Sequence, residues 1–138
     1  MSEPPRKAVL DACAVIAYLN DEVGAQKIDD LFAEHRPLLI AGINVLEVAY
    51  DAVKTTGEAS AAAEVIRLIE KMPCHIEWTL SQAVLISAAQ FKAGNRISLA
   101  DSVALGLTKS LNAELVTSDH HEFDILDKRK EVAFFWIR

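Results

Sequence analysis

Apolar residues recur along this chain in two rhythms. Short runs bounded by polar or turn-forming residues read as buried strands: "KAVLDA", ending at Asp11, "PLLIAG", opened by Pro37 and closed by Gly42, "AELVTS", and "EVAFFWIR" at the end. "CHIEWT" alternates apolar and polar positions, as a half-buried strand does. Between these runs the apolar positions fall at helical spacing. "GAQKIDDLFAEH" sets Ile28, Leu31 and Phe32 on one face, "INVLEVAYDAVKTTG" closes on Gly57, and "EASAAAEVIRLIEKMP" stops at Pro73. "SQAVLISAAQFKAGN" ends at Gly94, and "SLADSVALGLTKSLN" opens on Ser98 as an N-cap. "AVIAYLNDE" continues the first strand as a helix or turn, and "MSEPPRK" is a polar lead-in kept extended by its prolines. Strands alternating with helices of about ten to fifteen residues predict an α/β domain, with a mostly parallel central sheet flanked by helices. No linker, repeat or low-complexity stretch divides residues 1–138, so a single domain is expected.

Composition narrows the function classes. The net charge of −6 excludes nucleic-acid binding through a global basic field, although a local basic patch remains open. Cys13 and Cys74 lie in apolar contexts without metal-type spacing, which fits two buried thiols in a reducing compartment. The first apolar run is interrupted by Asp11 and lacks a cleavage pattern, and no run is long enough to span a bilayer. A cytoplasmic protein with no membrane partner is the expectation.

Four acids stand in apolar surroundings: Asp11 in "AVLDACAVIAYL", Glu47 in "INVLEVAYDAV", Asp101 in "SLADSVALGL" and Asp119 in "ELVTSDHHEF". Each has an ordinary explanation. Asp11 and Asp119 could shape turns after strands, Glu47 could project from a half-exposed helix, and Ser98-x-x-Asp101 fits a capping box. In an open parallel sheet, however, strand ends gather at one edge, and Asp11 and Asp119 both follow strands. Carboxylates brought together at about 4 Å repel by roughly 4 kcal/mol per pair in a surface-like dielectric. No Lys or Arg lies close in sequence to Glu47 or Asp119. A hard divalent ion, Mg²⁺ or Mn²⁺, is the natural neutraliser and can activate water against a phosphodiester. The basic pair Lys92 and Arg96, ahead of Asp101, could contact RNA phosphates or simply favour a helix carboxyl terminus.

"VLDACAVIAYL", "INVLEVAY", "ISLADSVALGL" and "LVTSDHHEF", in that order and ending in "AFFWIR", resemble the PIN-domain family, nearest the VapC-type ribonuclease toxins. The resemblance covers nearly the whole chain. It implies a PIN-like fold in which Asp11, Glu47, Asp101 and Asp119 are the catalytic, metal-binding acids, with Thr117 as a supporting hydroxyl. It further implies an RNA substrate, a cognate antitoxin protein that docks in a groove, and a homodimer. The helix "EVIRLIEKM", with Val65, Ile66, Leu68 and Ile69, and the run "ASAAAE" offer docking surfaces; core packing is the ordinary reading of those apolar positions. The chain departs from the pattern in carrying Ala12 and Cys13 where many relatives have Ser, Thr or Asn. That departure leaves room for a PIN-like module that binds without cleaving. A receiver-like Mg²⁺-binding signalling domain is a third reading, disfavoured because the first strand end lacks adjacent acids.

The hexapeptide "DHHEFD" holds five side chains able to ligate a metal, yet the resemblance aligns only Asp119 with the family's ligands. His120 and His121 are neighbours whose side chains diverge, and no cysteine lies nearby to complete a zinc site. Glu122 and Asp124 are expected at the rim, and Phe123 in the core.

Overall fold

A computed structural model describes residues 5–138; the first four residues of the proline-containing lead-in lie outside them. Five strands form one sheet in the order β3-β2-β1-β4-β5, and every pairing is parallel. They are β1 (Ala8–Leu10), β2 (Leu38–Ala41), β3 (His75–Glu77), β4 (Glu114–Thr117) and β5 (Ala133–Trp136). Seven helices flank the sheet among the described residues: α1 (Ala12–Leu19), α2 (Ala25–Ala33), α3 (Gly42–Thr56), α4 (Ala61–Lys71), α5 (Gln82–Gly94), α6 (Leu99–Ser110) and α7 (His120–Arg129). The α/β class, the parallel sheet and all five strands match the pattern of the sequence. One element goes beyond it. Residues 120–129, to which the apolar rhythm assigns nothing, form α7, whose buried stripe is only Phe123 and Leu126. An i, i+3 pair is too short a signal for periodicity to detect.

The three central strands, β1, β2 and β4, are largely buried on both faces, and their period of two divides the interior. Ala8, Leu10, Leu38, Ile40 and Val116 face one core, filled by α1 to α4. Val9, Ala41 and Leu115 face a second, filled by α5, α6 and α7. In the second core α5 and α6 pack at close range, and Gly106 makes this possible. A Cβ there would lie 2.7 Å from the Val84 carbonyl oxygen and 2.9 Å from the Ala88 amide nitrogen. Among the described residues, no helix is long and apolar enough to cross a membrane.

Strand order decides where chemistry can sit. The chain winds outward from β1 through β2 to β3, then returns to place β4 on the other side of β1. The crevice beyond the carboxyl ends of β1 and β4 is therefore the switch point at which open parallel sheets bind ligands.

Candidate metal centre at the carboxyl edge of the sheet

Three helices begin at that crevice, and each starts with an acid. Asp11 caps α1, its Oδ1 accepting the Ala14 N–H at 2.8 Å. Asp101 lies in the first turn of α6, its N–H donated to the Ser98 hydroxyl at 3.1 Å. Asp119 caps α7, its Oδ1 accepting the Glu122 N–H at 3.1 Å. Helix amino termini carry partial positive charge, so three of them aimed at one crevice offset part of the repulsion between carboxylates. Glu47 reaches the same place from α3.

The tightest cluster is Asp101, Asp119 and Glu122, each offering an oxygen within 4.8 Å of the other two. Glu122, expected at the rim, thus joins the centre. Asp11 and Glu47 stand outside this trio but share its electrostatic field. The four expected acids do gather at one edge, and none forms a salt bridge among the described residues.

Burial and mutual repulsion have the anticipated effect on protonation. Asp11 is pushed up to about 7, chiefly by burial, with the charges of Asp101 and Asp119 adding to it. Asp101 is also pushed up to about 7, by burial and then by Glu47 and Asp119. Burial raises Glu47 too; the Asn44 amide opposes the rise and Asp119 reinforces it. Cys13, half-buried and unpaired, feels all four acids and is pushed up to about 12, so it is a neutral thiol. Cys74 is likewise half-buried and free rather than fully buried.

Thr117 gives Asp11 a hydroxyl partner from another strand, where Ala12 and Cys13 offer none. From the end of β4 its fully buried hydroxyl donates to Asp11 Oδ2, and Thr117 Oγ1 in turn accepts the Asp119 N–H at 3.0 Å. One hydroxyl therefore bridges the Asp11 carboxylate and the backbone of Asp119. Asn44 is a polar contributor that sequence reasoning passed over. It is 0% exposed, and its Nδ2 donates to the Ala100 carbonyl at 3.2 Å, tying α3 to the residue before Asp101. Its Oδ1 and Glu47 Oε1 are buried without a partner. An amide amid apolar Ile43 and Val45, three residues before Glu47, was the available signal.

The hexapeptide separates by side-chain direction. Asp119 and Glu122 turn into the centre, and Phe123 is 0% exposed in the second core. His120 stacks on Trp136 at 4.0 Å; its Nδ1 meets Asp124 Oδ1 at 2.7 Å and its Nε2 meets the Arg138 carbonyl at 2.8 Å. Both ring nitrogens of His120 are thus engaged away from the acidic trio, and those acceptors raise its pKa. The Lys92 ammonium is bonded to the Ile97 carbonyl, whereas Arg96 lines an open cleft beside Glu122.

The donor set fits a hard divalent cation. Three carboxylate oxygens lie within one ion's reach, a fourth carboxylate has a buried, unpartnered oxygen, and no basic side chain pairs with any of them.

An all-parallel sheet with an unpaired acidic cluster at its switch point defines a class: an α/β domain able to hold a divalent ion outside its strand ends. The chain belongs to the PIN domain family, whose sequence profile matches residues 8–129. Among solved structures it is similar to VapBC2 from Rickettsia felis bound to a DNA fragment from their promoter, with TM-score 0.70 and 16% identity over 94% of this chain and 98% of that one. DNA-bound VapBC from Salmonella typhimurium gives TM-score 0.70 and 19% identity, over 96% and 99% of the two chains. FitAcB from Neisseria gonorrhoeae gives TM-score 0.63 and 19% identity, over 93% and 96%. At these identities the likeness is one of fold. No curated protein sequence matches the chain.

Proposed function

We propose that the protein is a metal-dependent endoribonuclease acting as the toxin of a toxin–antitoxin pair. The observation that carries the nuclease reading is the convergence of Asp101, Asp119 and Glu122 without a basic partner, at the crevice where β1 and β4 end. These three would hold Mg²⁺ or Mn²⁺, with Asp11 and Glu47 completing its surroundings. When bound there, a divalent ion supplies a Lewis acid for the scissile phosphate and lowers the pKa of water. The chain's own contribution is preorganisation. Thr117 and the Ala14 N–H fix both oxygens of Asp11, the α6 and α7 caps fix Asp101 and Asp119, and Asn44 holds α3 against the start of α6.

The toxin role draws support from the structural neighbours, which are VapBC and FitAcB complexes, and from a groove between α1, α3 and α4. That groove is lined by Ile16, Leu19, Val65 and Leu68, and an antitoxin helix would fit its apolar floor. Of the apolar positions on α4, Ile69 is core and Leu68 is half exposed. A second copy of the chain would cover the apolar patch of Leu46, Tyr50 and Leu99 next to Glu47. Cytoplasmic location follows from an RNA substrate.

The test is cleavage of single-stranded and structured RNA in Mg²⁺ or Mn²⁺ against a chelator control, with Asp101→Asn and Asp119→Asn alongside. Metal-dependent cleavage that both substitutions abolish is expected. Cleavage that survives them unchanged removes these acids from the mechanism. Growth arrest on expression, absent in the same variants, is the expected cellular result.

A further inference from the structure

Two exposed arginines border a cleft beside the acidic centre. A cleft of about 460 Å³ opens between α7 and residues 94–97, the connection from α5 to α6. Its walls include Arg96 on one side and His121, Glu122, Ile125 and Arg129 on the other. The α7 residues form one stripe, because positions 121, 125 and 129 succeed each other by four. Glu122 belongs both to this cleft and to the metal trio, so the cleft leads directly out of the centre.

Arg96 and Arg129 are exposed, and neither guanidinium makes a hydrogen bond or ion pair among the described residues. Arg36, Arg138 and Arg6 are engaged, with Glu114, Glu22 and the Asn112 carbonyl, while Arg67 on α4 is exposed and unpaired like the two cleft arginines. Two guanidiniums kept free on opposite walls are suited to an external anion, and their planar forks match phosphate. Between them Ile125 is 51% exposed and presents an apolar surface. Cation, apolar platform, cation is the complement of a phosphodiester chain carrying bases.

We propose that this cleft is the track for single-stranded RNA on one side of the scissile phosphate, with Arg96 and Arg129 neutralising backbone phosphates and Ile125 underlying a base. The inference rests on the ribonuclease reading and sharpens it by giving the substrate strand a path out of the centre. Glu122 and Arg129 are seven residues apart on α7, about 10.5 Å along the helix axis. That span matches about three stacked nucleotides of one strand, so Arg129 addresses the backbone a few positions from the cut. Lys92 has no part in it, since its ammonium is bonded to the chain itself.

The experiment is anisotropy of a labelled single-stranded RNA oligonucleotide, held in EDTA so that it stays intact, across a range of KCl concentrations. The wild type is compared with the double variant Arg96→Ala/Arg129→Ala and with Lys54→Ala/Lys71→Ala, which removes the same charge from exposed positions on α3 and α4. Loss of the two arginines is expected to weaken binding at least about tenfold and to reduce the salt slope by about 1.4, two contacts at roughly 0.7 each on a single strand. Mn²⁺ affinity, measured separately, stays at the wild-type value, and the lysine control binds RNA as the wild type does. An arginine variant with wild-type affinity and slope overturns the cleft alone. So does a lysine control that weakens equally, because net charge would then be the cause. Undiminished RNA binding with lost binding of a polyglutamate peptide would assign the cleft to an acidic protein segment. A wild type that binds no RNA at any salt overturns the cleft, and one that also fails to cleave RNA in Mn²⁺ overturns the ribonuclease reading with it.

Discussion

Strand β4 carries an acid at its start and another just past its end, and the two are treated in opposite ways. Glu114, at the amino edge of the sheet, is met by the Arg36 guanidinium at 2.7 Å, and both side chains are largely buried. Arg36 is itself anchored by the Arg6 carbonyl at 2.9 Å. Asp119, at the carboxyl edge, is given two further carboxylates for company and no cation. The fold can therefore supply an arginine where it needs a neutral pair. Where it leaves acids facing one another, it stores repulsion that only something from outside can relieve. The amino edge pairs its acid within the chain, and the carboxyl edge leaves its acids able to take up a cation.

Neutral substitutions break this contrast most strongly. Asp101→Asn or Asp119→Asn should reduce metal-dependent RNA cleavage by more than about 100-fold, the upper range for losing only a supporting contact. The same variants should melt higher than the wild type in chelator at pH 8, because one member of a repelling set is gone. Thermal melts with and without Mn²⁺ check this, and lower metal-free melting in both variants would contradict the stored repulsion.

Acidity gives the next largest effect. Asp11 and Asp101 bind protons up to about pH 7 in the folded chain, against 3.8 for an ordinary Asp. The native state thus holds more protons than the unfolded state between about pH 4 and 7, and stability falls with rising pH in that window. Metal-free protein should be most stable on account of these groups below about pH 4 and lose that contribution as pH passes 7. Saturating Mn²⁺ should flatten the profile, and a pH series of melting curves is the measurement.

At the opposite edge Arg36→Ala should destabilise the fold by about 1–3 kcal/mol, since it leaves Glu114 partly buried and unpaired. Denaturant titration reads the loss. Mn²⁺ affinity should be unchanged, which separates the two edges. The smallest effect expected is that of Thr117→Val, which removes the donor to Asp11 while keeping the shape of the side chain. Mn²⁺ affinity at pH 7 should drop about tenfold, with Asp11 staying protonated to higher pH, and Thr117→Ser should restore both. A Val variant with wild-type affinity would deny the hydroxyl its place in the centre.

Particular residues mark how far the sequence could be read. Asp11 and Asp119 were visible because each terminates an apolar run, and a parallel sheet sends such termini to one edge. Asp101 was visible through Ser98-x-x-Asp101. Glu122 obeys the same grammar, Asp119-x-x-Glu122, but the helix behind it shows too short an apolar stripe for the sequence to announce it. Asn44 stayed hidden for a different reason. One amide inside an apolar helix gives no indication of the carbonyl it will meet 56 residues later. Arg129, on the unrecognised helix, could not be set beside Arg96 until α7 was placed.

The sheet separates two apolar interiors that do not merge, one under α1 to α4 and one under α5 to α7. Asp11 and Glu47 stand on elements of the first, and Asp101, Asp119 and Glu122 on elements of the second. A cation gripped by both sets would act as a cross-brace between two otherwise separate halves. Loading it should slow amide hydrogen exchange on both faces of the sheet together, far from any atom it touches.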